Sequence, residues 1–402
     1  MKYKFDKVID RSNTSCAKWD ATEELFGEKD LLPLWVADMD FKVPDEVVKV
    51  IQSQAEHGIF GYTSKKEGYY KAVIDWMKNR HNWSVEKEWI CHSPGVVTAL
   101  SLIVQAYSEP GDKIIVQPPV YYPFMKVIQN HNRQVVYNSL LLTEDRYEMD
   151  FEDLISKIDS SVKMILLCNP HNPGGRVWTK LELERLGNIC MEHGILVVSD
   201  EIHADLIFKP GEHTPFAAIS EEFAENSIIC TAPSKTFNLA GLQTSNIIIS
   251  SETLRGKFIA ETEKYAIGMS NSFGALATEA AYKYGGQWLD EVLDYIEGNL
   301  QFITKYFETN LPVLKVLPLE ATYLAWIDCR ELGLTPEELE KLFLSKAKVA
   351  LNQGYVFGPG GEGFVRMNLA CSRSIVERAG KQMIEAVNSI VEISPVLETK
   401  NI

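Results

Sequence analysis

Three residues, met in order along the chain, have the types that one kind of chemistry needs. They are Asn172 in His171-Asn-Pro-Gly-Gly175, Asp200 in Ser199-Asp-Glu-Ile-His203, and Lys235 in Thr231-Ala-Pro-Ser-Lys-Thr-Phe-Asn-Leu-Ala-Gly-Leu242. Each alone is ordinary: a lysine beside a serine is usually a surface residue, Asn-Pro-Gly a turn, and an acid after an apolar run a cap. Together they suit a pyridoxal phosphate site. The lysine forms an imine, the acid keeps the pyridine nitrogen protonated, and the amide donates to the ring hydroxyl. The cofactor is an electron sink, and the protein supplies orientation and electrostatics. A free lysine is almost fully protonated at neutral pH, so imine formation and a partly desolvated site are what let Lys235 act as a base at a substrate Cα.

A phosphate needs donors more than bulk charge. Ser93-Pro-Gly95 precedes the apolar helix candidate Val96-Val-Thr-Ala-Leu-Ser-Leu-Ile-Val104. Free N–H groups at Val96 and Val97 would face an anion with the helix dipole behind them. Thr231 and Ser234 could add hydroxyls.

These residues must be positioned by something. Lys113-Ile-Ile-Val-Gln117, Lys163-Met-Ile-Leu-Leu-Cys168, Ile195-Leu-Val-Val-Ser199, Ser227-Ile-Ile-Cys230 and Asn246-Ile-Ile-Ile-Ser250 are short, apolar and rich in β-branched residues. Such runs suit strands buried on both faces of a mostly parallel sheet. Helical stretches lie between them. In Lys180 to His193, Leu181, Leu183, Leu186, Ile189 and Cys190 predict a buried stripe, with Gly194 at the C-terminal cap. The pattern is α/β. Asn172, Asp200 and Lys235 each follow an apolar run, which is where open α/β sheets bind ligands. The last third differs: Tyr323–Asp328 and Phe364–Ala370 read as strands, Thr335-Pro336 opens a helix, and a second helix runs from Ser374 into the 390s. This predicts a smaller α+β domain.

The 402 residues allow two domains. A net charge of −15 argues against nucleic acid and anionic membrane as partners. The opening Met-Lys-Tyr-Lys-Phe-Asp-Lys has no apolar signal core, and no apolar run approaches a membrane span. The seven scattered cysteines lack a Cys-x-x-Cys pair, which predicts reduced thiols and a cytoplasmic location. The eight histidines show no metal-ligand spacing, so no metal is expected. Gly358-Pro-Gly-Gly-Glu-Gly363 matches the dinucleotide pattern in form only. It leads into a strand-like run rather than a helix, and a flexible loop near a substrate entrance is expected instead.

Leu34-Trp-Val-Ala-Asp-Met-Asp-Phe41, Pro119-Val-Tyr-Tyr-Pro-Phe124, Asn169-Pro-His-Asn-Pro-Gly-Gly-Arg-Val-Trp178, Ser199-Asp-Glu-Ile-His-Ala-Asp-Leu206 and Ala232–Gly241 cover nearly the whole chain. In these runs it resembles the bacterial cystathionine β-lyases and C–S lyases of the cystalysin type, within the aspartate-aminotransferase superfamily. The resemblance implies fold type I, with a large cofactor domain at 46–290 and a discontinuous small domain from 1–45 and 291–402. It implies that Tyr121 stacks on the cofactor ring, that Arg366 grips the substrate α-carboxylate, and that Val36 and Ala37 line the substrate site. Tyr122 either reaches the substrate or is a core aromatic. His203 stands where aminotransferases often carry a tyrosine that helps hold the ring hydroxyl; it either substitutes or only supports. Tyr62 matches a tyrosine that reaches the phosphate of a neighbouring subunit, which implies a homodimer with shared active sites. The superfamily commonly clamps the phosphate with an arginine eight residues after the lysine. Gln243 stands there, which predicts looser cofactor retention.

Once a Cα proton leaves, protonation at the cofactor gives transamination, and expulsion of a β-leaving group gives elimination. The residues alone serve both. The resemblance implies α,β-elimination: cystathionine, another cysteine S-conjugate or cysteine gives a thiol or sulfide, pyruvate and ammonia. The alternatives are an aminotransferase acting on an amino acid and a 2-oxo acid, and a regulatory partner protein that keeps the fold.

Overall fold

The β-branched runs of the middle of the chain line up in one sheet. A computed structural model describes residues 2–391. It places seven strands together: Ile90–Ser93 (β1), Lys113–Val116 (β2), Gln134–Tyr137 (β3), Val162–Cys168 (β4), Leu196–Asp200 (β5), Ser227–Thr231 (β6) and Ser245–Ile248 (β7). Their spatial order is β1-β7-β6-β5-β4-β2-β3. Neighbours from β3 to β6 run parallel. β7 runs antiparallel to both β6 and β1. The apolar runs carry no signal for that reversal, because a strand buried on both faces looks alike in either direction.

One face of the sheet is covered by Val96–Tyr107, Pro123–Asn130 and Glu252–Lys264, whose Ile103, Phe124 and Phe258 share a core with Val116, Leu166, Val198 and Ile228. Val96–Tyr107 is rich in β-branched residues, which are indifferent helix formers. Burial overrides propensity here, since each fully buried aliphatic side chain is worth about 1.5–3 kcal/mol. Ser272–Tyr284 packs on both Asp45–His57 and Glu67–His81. Lys180–Glu192 starts at a capping box formed by Thr179 and Glu182. Its buried stripe is Leu183, Leu186, Gly187, Ile189 and Cys190. Leu181, expected in that stripe, is 77% exposed. It lies in the first turn, ahead of the face that meets the core. A Cβ on Gly187 would sit 2.3 Å from the Phe223 ring, so the stripe contains a notch that an aromatic fills.

The chain divides into two units. The larger is Lys42–Leu293 with Glu320–Thr322; the smaller takes, among the described residues, those up to Phe41, Asp294–Leu319, and those from Tyr323 on. The inclusion of Glu320–Thr322 was not anticipated. It follows from a bridge between Ile207 and Ala321, a bond from Thr322 N–H to Leu206 C=O of 2.7 Å, and the Glu320 carboxylate accepting from Val177 N–H at 2.7 Å.

The smaller unit holds an antiparallel sheet of Lys315–Val316 (β8), Leu324–Asp328 (β9), Asn352–Gln353 (β10) and Phe364–Asn368 (β11), in the order β8-β9-β11-β10. Trp326 stacks on Phe364 with ring centroids 5.1 Å apart. The helix Arg373–Val391 buries Val376, Ala379, Met383 and Val387 along one stripe. The Gly358–Gly363 segment, expected as a flexible loop, is a tight turn packed through Gly361. Gly358, Gly360 and Gly363 have φ of +93°, +84° and +77°, and a Cβ on Gly361 would lie 2.0 Å from the Gly354 carbonyl oxygen.

Candidate active site

β4, β5 and β6 end side by side, with Cys168, Asp200 and Cys230 in register. The segments that follow carry Asn172 and Lys235, while Asp200 is the last residue of its own strand. Adjacent parallel strands lie about 4.8 Å apart, so three residues distant in sequence share one edge of the sheet.

Asp200 is buried. Its Oδ1 accepts the Ile202 N–H at 3.2 Å. Burial pushes its carboxyl up to about 7; the backbone hydrogen bond and the charge of Lys235 oppose this, and Glu201 adds to it. The flanking Cys168 and Cys230 thiols are pushed up by burial and by the nearby Asp200 charge, so both stay protonated.

Asn172 is buried in a loop that closes on itself. The His171 N–H donates to Arg176 C=O at 2.8 Å, the Gly175 N–H to His171 C=O at 2.9 Å, and the Asn172 N–H to Cys168 Sγ at 3.3 Å. The peptide bonds before Pro170 and Pro173 are cis. His171 is held neutral, its imidazole pushed down to about 3 by burial and the Arg176 charge.

Lys235 is half-buried on the single helical turn Pro233–Thr236. Proline at its first position suits a turn whose first N–H has no acceptor. The Phe237 N–H donates to Pro233 C=O at 2.9 Å and the Leu239 N–H to Ser234 C=O at 3.0 Å. Ser234 is half-buried. Thr231, at the end of β6 and opposite Asn246 in the ladder, donates from Oγ1 to Asn246 C=O at 3.2 Å.

The helix Val96–Tyr107 begins at Gly95 with no side-chain cap. Ser93 Oγ donates to Gly95 C=O at 3.0 Å, and among the described residues a Gly95 Cβ would meet open space beyond its own chain neighbours. The first-turn N–H groups of Val96 and Val97 have no intrahelical acceptor. Tyr121 and Tyr122 are half-buried with ring centroids 5.7 Å apart, and Tyr121 meets Phe124 edge-on. His203 is buried, and its carbonyl accepts the Leu206 N–H at 2.9 Å. Gln243 is exposed, and Tyr62 is 96% exposed.

In the smaller unit, Arg366 is buried on β11 beside Trp326 and Asn352. Its guanidinium donates to Trp35 C=O at 3.2 Å and to Asn352 Oδ1, and lies 4.9 Å from the Phe357 ring centroid. The segment with Val36 and Ala37 is clamped nearby: Asn368 Nδ2 donates to Val36 C=O and Asp38 C=O, and Tyr323 Oη donates to Ala37 C=O at 2.9 Å.

These residues fit pyridoxal phosphate. Asp200 is a buried carboxyl that lacks a full cationic partner, and a pyridinium N–H would supply one. The Gly95 opening offers room and unclaimed N–H groups for a phosphate, and Lys235 supplies the amine. Sequence reasoning missed two further acids in the Asp200 run, Glu201 and Asp205, whose side chains are only 2% and 8% exposed. Glu201 accepts from Ser199 Oγ and Phe216 N–H at 2.9 Å and meets His213 Nε2 at 2.9 Å. Asp205 meets His81, Trp76 and Thr236. The available signal was two acids close behind Asp200 in a segment leaving a buried strand.

The aminotransferase class I and II family model matches residues 29–382. The chain belongs to that family. Within it, the chain is 49% identical to cystathionine beta-lyase PatB of Bacillus subtilis over 93% of its length and 97% of PatB. Cystalysin of Treponema denticola, whose crystal structure contains pyridoxal 5'-phosphate, superposes with a TM-score of 0.94 at 39% identity, covering 97% of this chain and 100% of cystalysin. The PLP-bound C–S lyase of Staphylococcus hominis superposes with a TM-score of 0.90 at 32% identity, covering 96% and 98% of the two chains.

Proposed function

We propose that this family member is a pyridoxal phosphate-dependent carbon–sulfur lyase. It converts cystathionine or another cysteine S-conjugate, with water, to a thiol, pyruvate and ammonia. The observation that carries the reading is the buried Asp200 carboxyl at the end of its strand, within the electrostatic reach of Lys235. The identity to PatB and the superposition on cystalysin support the elimination over transamination.

When bound, pyridoxal phosphate supplies an aldehyde for an amine and a ring that accepts the electrons left at Cα. Asp200 would hold the proton on the ring nitrogen, Asn172 would donate to the ring hydroxyl, and Tyr121 would cover the ring. The N–H groups of Val96 and Val97, with Ser234, would hold the phosphate. Arg366 grips the α-carboxylate with its planar fork, beside Val36 and Ala37. Lys235 would bind the cofactor through its amine and, once that amine is free, would take the Cα proton at Nζ. The Cβ–S bond then breaks, the sulfur leaves as thiolate, and the Lys235 ammonium can return a proton to it.

The active form is a homodimer in which Tyr62 of each chain serves the other's phosphate; the exposed Ile59, Phe60 and Tyr62 support this. A cytoplasmic setting is supported by seven unpaired cysteines, six of them buried. No helix among the described residues is long and apolar enough to cross a membrane.

The test is incubation of the purified protein with cystathionine and no 2-oxo acid. Release of equal pyruvate and free thiol is expected. Turnover that requires a 2-oxo acid acceptor and releases no thiol would establish the aminotransferase instead.

A further inference from the structure

Lys235 stands on a helix of only four residues, with no side-chain cap at Ala232. Such a turn is not stable by itself, because nucleating a helix costs more than one turn returns. Something outside must hold it. The two residues after the lysine are the ones held. Phe237 is fully buried, with Trp76, Tyr282 and Trp288 around it at centroid distances of 5.4, 6.1 and 6.0 Å. A Cβ on Gly285 would lie 2.4 Å from the Phe237 ring, so the aromatic has no slack on that side. Thr236 is fully buried too, and its Oγ1 donates to Asp205 Oδ2 at 2.7 Å.

Asp205 is anchored from the opposite direction. Its Oδ1 accepts Trp76 Nε1 at 2.9 Å and meets His81 Nε2 at 2.8 Å, both from the helix Glu67–His81. Burial favours the protonated acid, but the hydrogen bond and charge of His81, with the Thr236 and Trp76 donors, outweigh it and lower the carboxyl below its ordinary value. The Asp205 and His81 side chains are only 8% and 6% exposed, so water competes little for these bonds.

The segment that carries Asp205 begins at Asp200. It is itself closed by bonds from the Glu201 N–H to Cys230 C=O at 2.9 Å, from Ala204 N–H to Glu201 C=O at 3.0 Å and from Leu206 N–H to His203 C=O at 2.9 Å. Two acids on one short, braced segment therefore have different work. Asp200 faces the candidate cofactor site, and Asp205 holds the turn that bears the lysine. We infer that Asp205 is a positioning residue: acting through Thr236, its carboxylate fixes where the Lys235 amine stands relative to Asp200. The inference rests on Lys235 being the reacting amine of the proposed lyase.

The sharpest variant is Thr236→Val, which removes one hydroxyl and keeps the shape; Thr236→Ser restores the donor, and Asp205→Asn alters the acceptor. Each variant is purified, one portion loaded with pyridoxal phosphate for kinetics and melting and one freed of it for the trapping. Three quantities are read: steady-state kinetics with cystathionine, the rate at which added cofactor becomes borohydride-trappable on Lys235 by peptide mass spectrometry, and the melting temperature. Misplacing a reacting group by a fraction of an ångström to an ångström costs about tenfold to a hundredfold. Thr236→Val should lose kcat by about that factor with KM within about threefold, and trap Lys235 correspondingly more slowly. Thr236→Ser should recover most of both, and Asp205→Asn should behave like Thr236→Val. Thr236→Val with wild-type kcat and wild-type trapping would overturn the inference while leaving the lyase reading intact. Wild-type protein trapped at another lysine would overturn both. If Asp205→Asn melts too low to assay, the Val and Ser pair at Thr236 still decides the matter.

Discussion

Asp200 carries an energetic signature that is readable without any substrate. Its carboxyl stands at about 7 in the fold against an ordinary 3.8, so the folded state keeps a proton that the unfolded chain has lost over that interval. More protons bound in the native state means stability falls as pH rises through the window and levels off above it. In cofactor-free protein, Asp200→Asn lacks this titration. Its stability relative to wild type should therefore rise between about pH 4 and pH 7, by at most about 4 kcal/mol, as read from denaturant melts at stepped pH. A flat difference would mean that Asp200 is not buried as described. With pyridoxal phosphate and cystathionine the same substitution should cut kcat by about a thousandfold or more, because the ring loses the partner that keeps it protonated. At Arg366, lysine keeps the charge and loses the fork. Arg366→Lys should cost about 2–4 kcal/mol in kcat/KM for cystathionine, and much less for an analogue without the α-carboxylate.

Among the elements, the segment through Val36 and Ala37 has no regular structure of its own beyond Leu32–Pro33, yet it is held from several sides. Lys18, fully buried, places Nζ 2.8 Å from Asp40 Oδ2. Arg11 meets Asp40 at 2.6 Å and Asp38 at 2.9 Å, and Trp19 Nε1 donates to Asp40 at 3.1 Å. A cluster with two cations and two carboxylates survives removal of one cation better than a lone pair does, because Arg11 still answers Asp40. Lys18→Met should therefore cost about 1–3 kcal/mol of stability in urea, below the usual penalty for breaking an isolated buried pair. A loss above that range would mean that Lys18 is the principal counter-charge. The same substitution should raise KM for cystathionine if Val36 and Ala37 line the substrate site as proposed.

For the whole molecule, the exposed Tyr62 and its neighbours Ile59 and Phe60 make the dimer proposal testable by mixing. Lys235→Ala and Tyr62→Phe chains should each be impaired. After verified subunit exchange, half of the mixed dimers' sites would combine an intact Lys235 with an intact Tyr62 and regain activity. Mixed samples no more active than the separate variants would rule out the shared site, as would a fully active monomer in sedimentation. Gln243, eight residues after Lys235, is exposed and neutral, so it brings no positive charge to the proposed phosphate site. Tyr62→Phe should therefore speed loss of pyridoxal phosphate on dilution, measured by the decay of bound-cofactor absorbance.

What the sequence determined by itself was periodic or local. Strands buried on both faces announce themselves as β-branched runs, Thr179 and Thr335 cap their helices through residues three positions away, and the order Asn172, Asp200, Lys235 places three chemistries at or just beyond the ends of three strands. Tertiary structure alone decided the rest. It reversed β7, packed Gly358–Gly363 as a tight turn against Gly354, and exposed Leu181. It also joined Asp205 to Trp76 across 129 positions and to Thr236 across 31. No local pattern encodes such contacts. A buried acid satisfied by distant donors has the same neighbours in sequence as one on the surface, and its partners are known only once the sheet and the helices over it have closed.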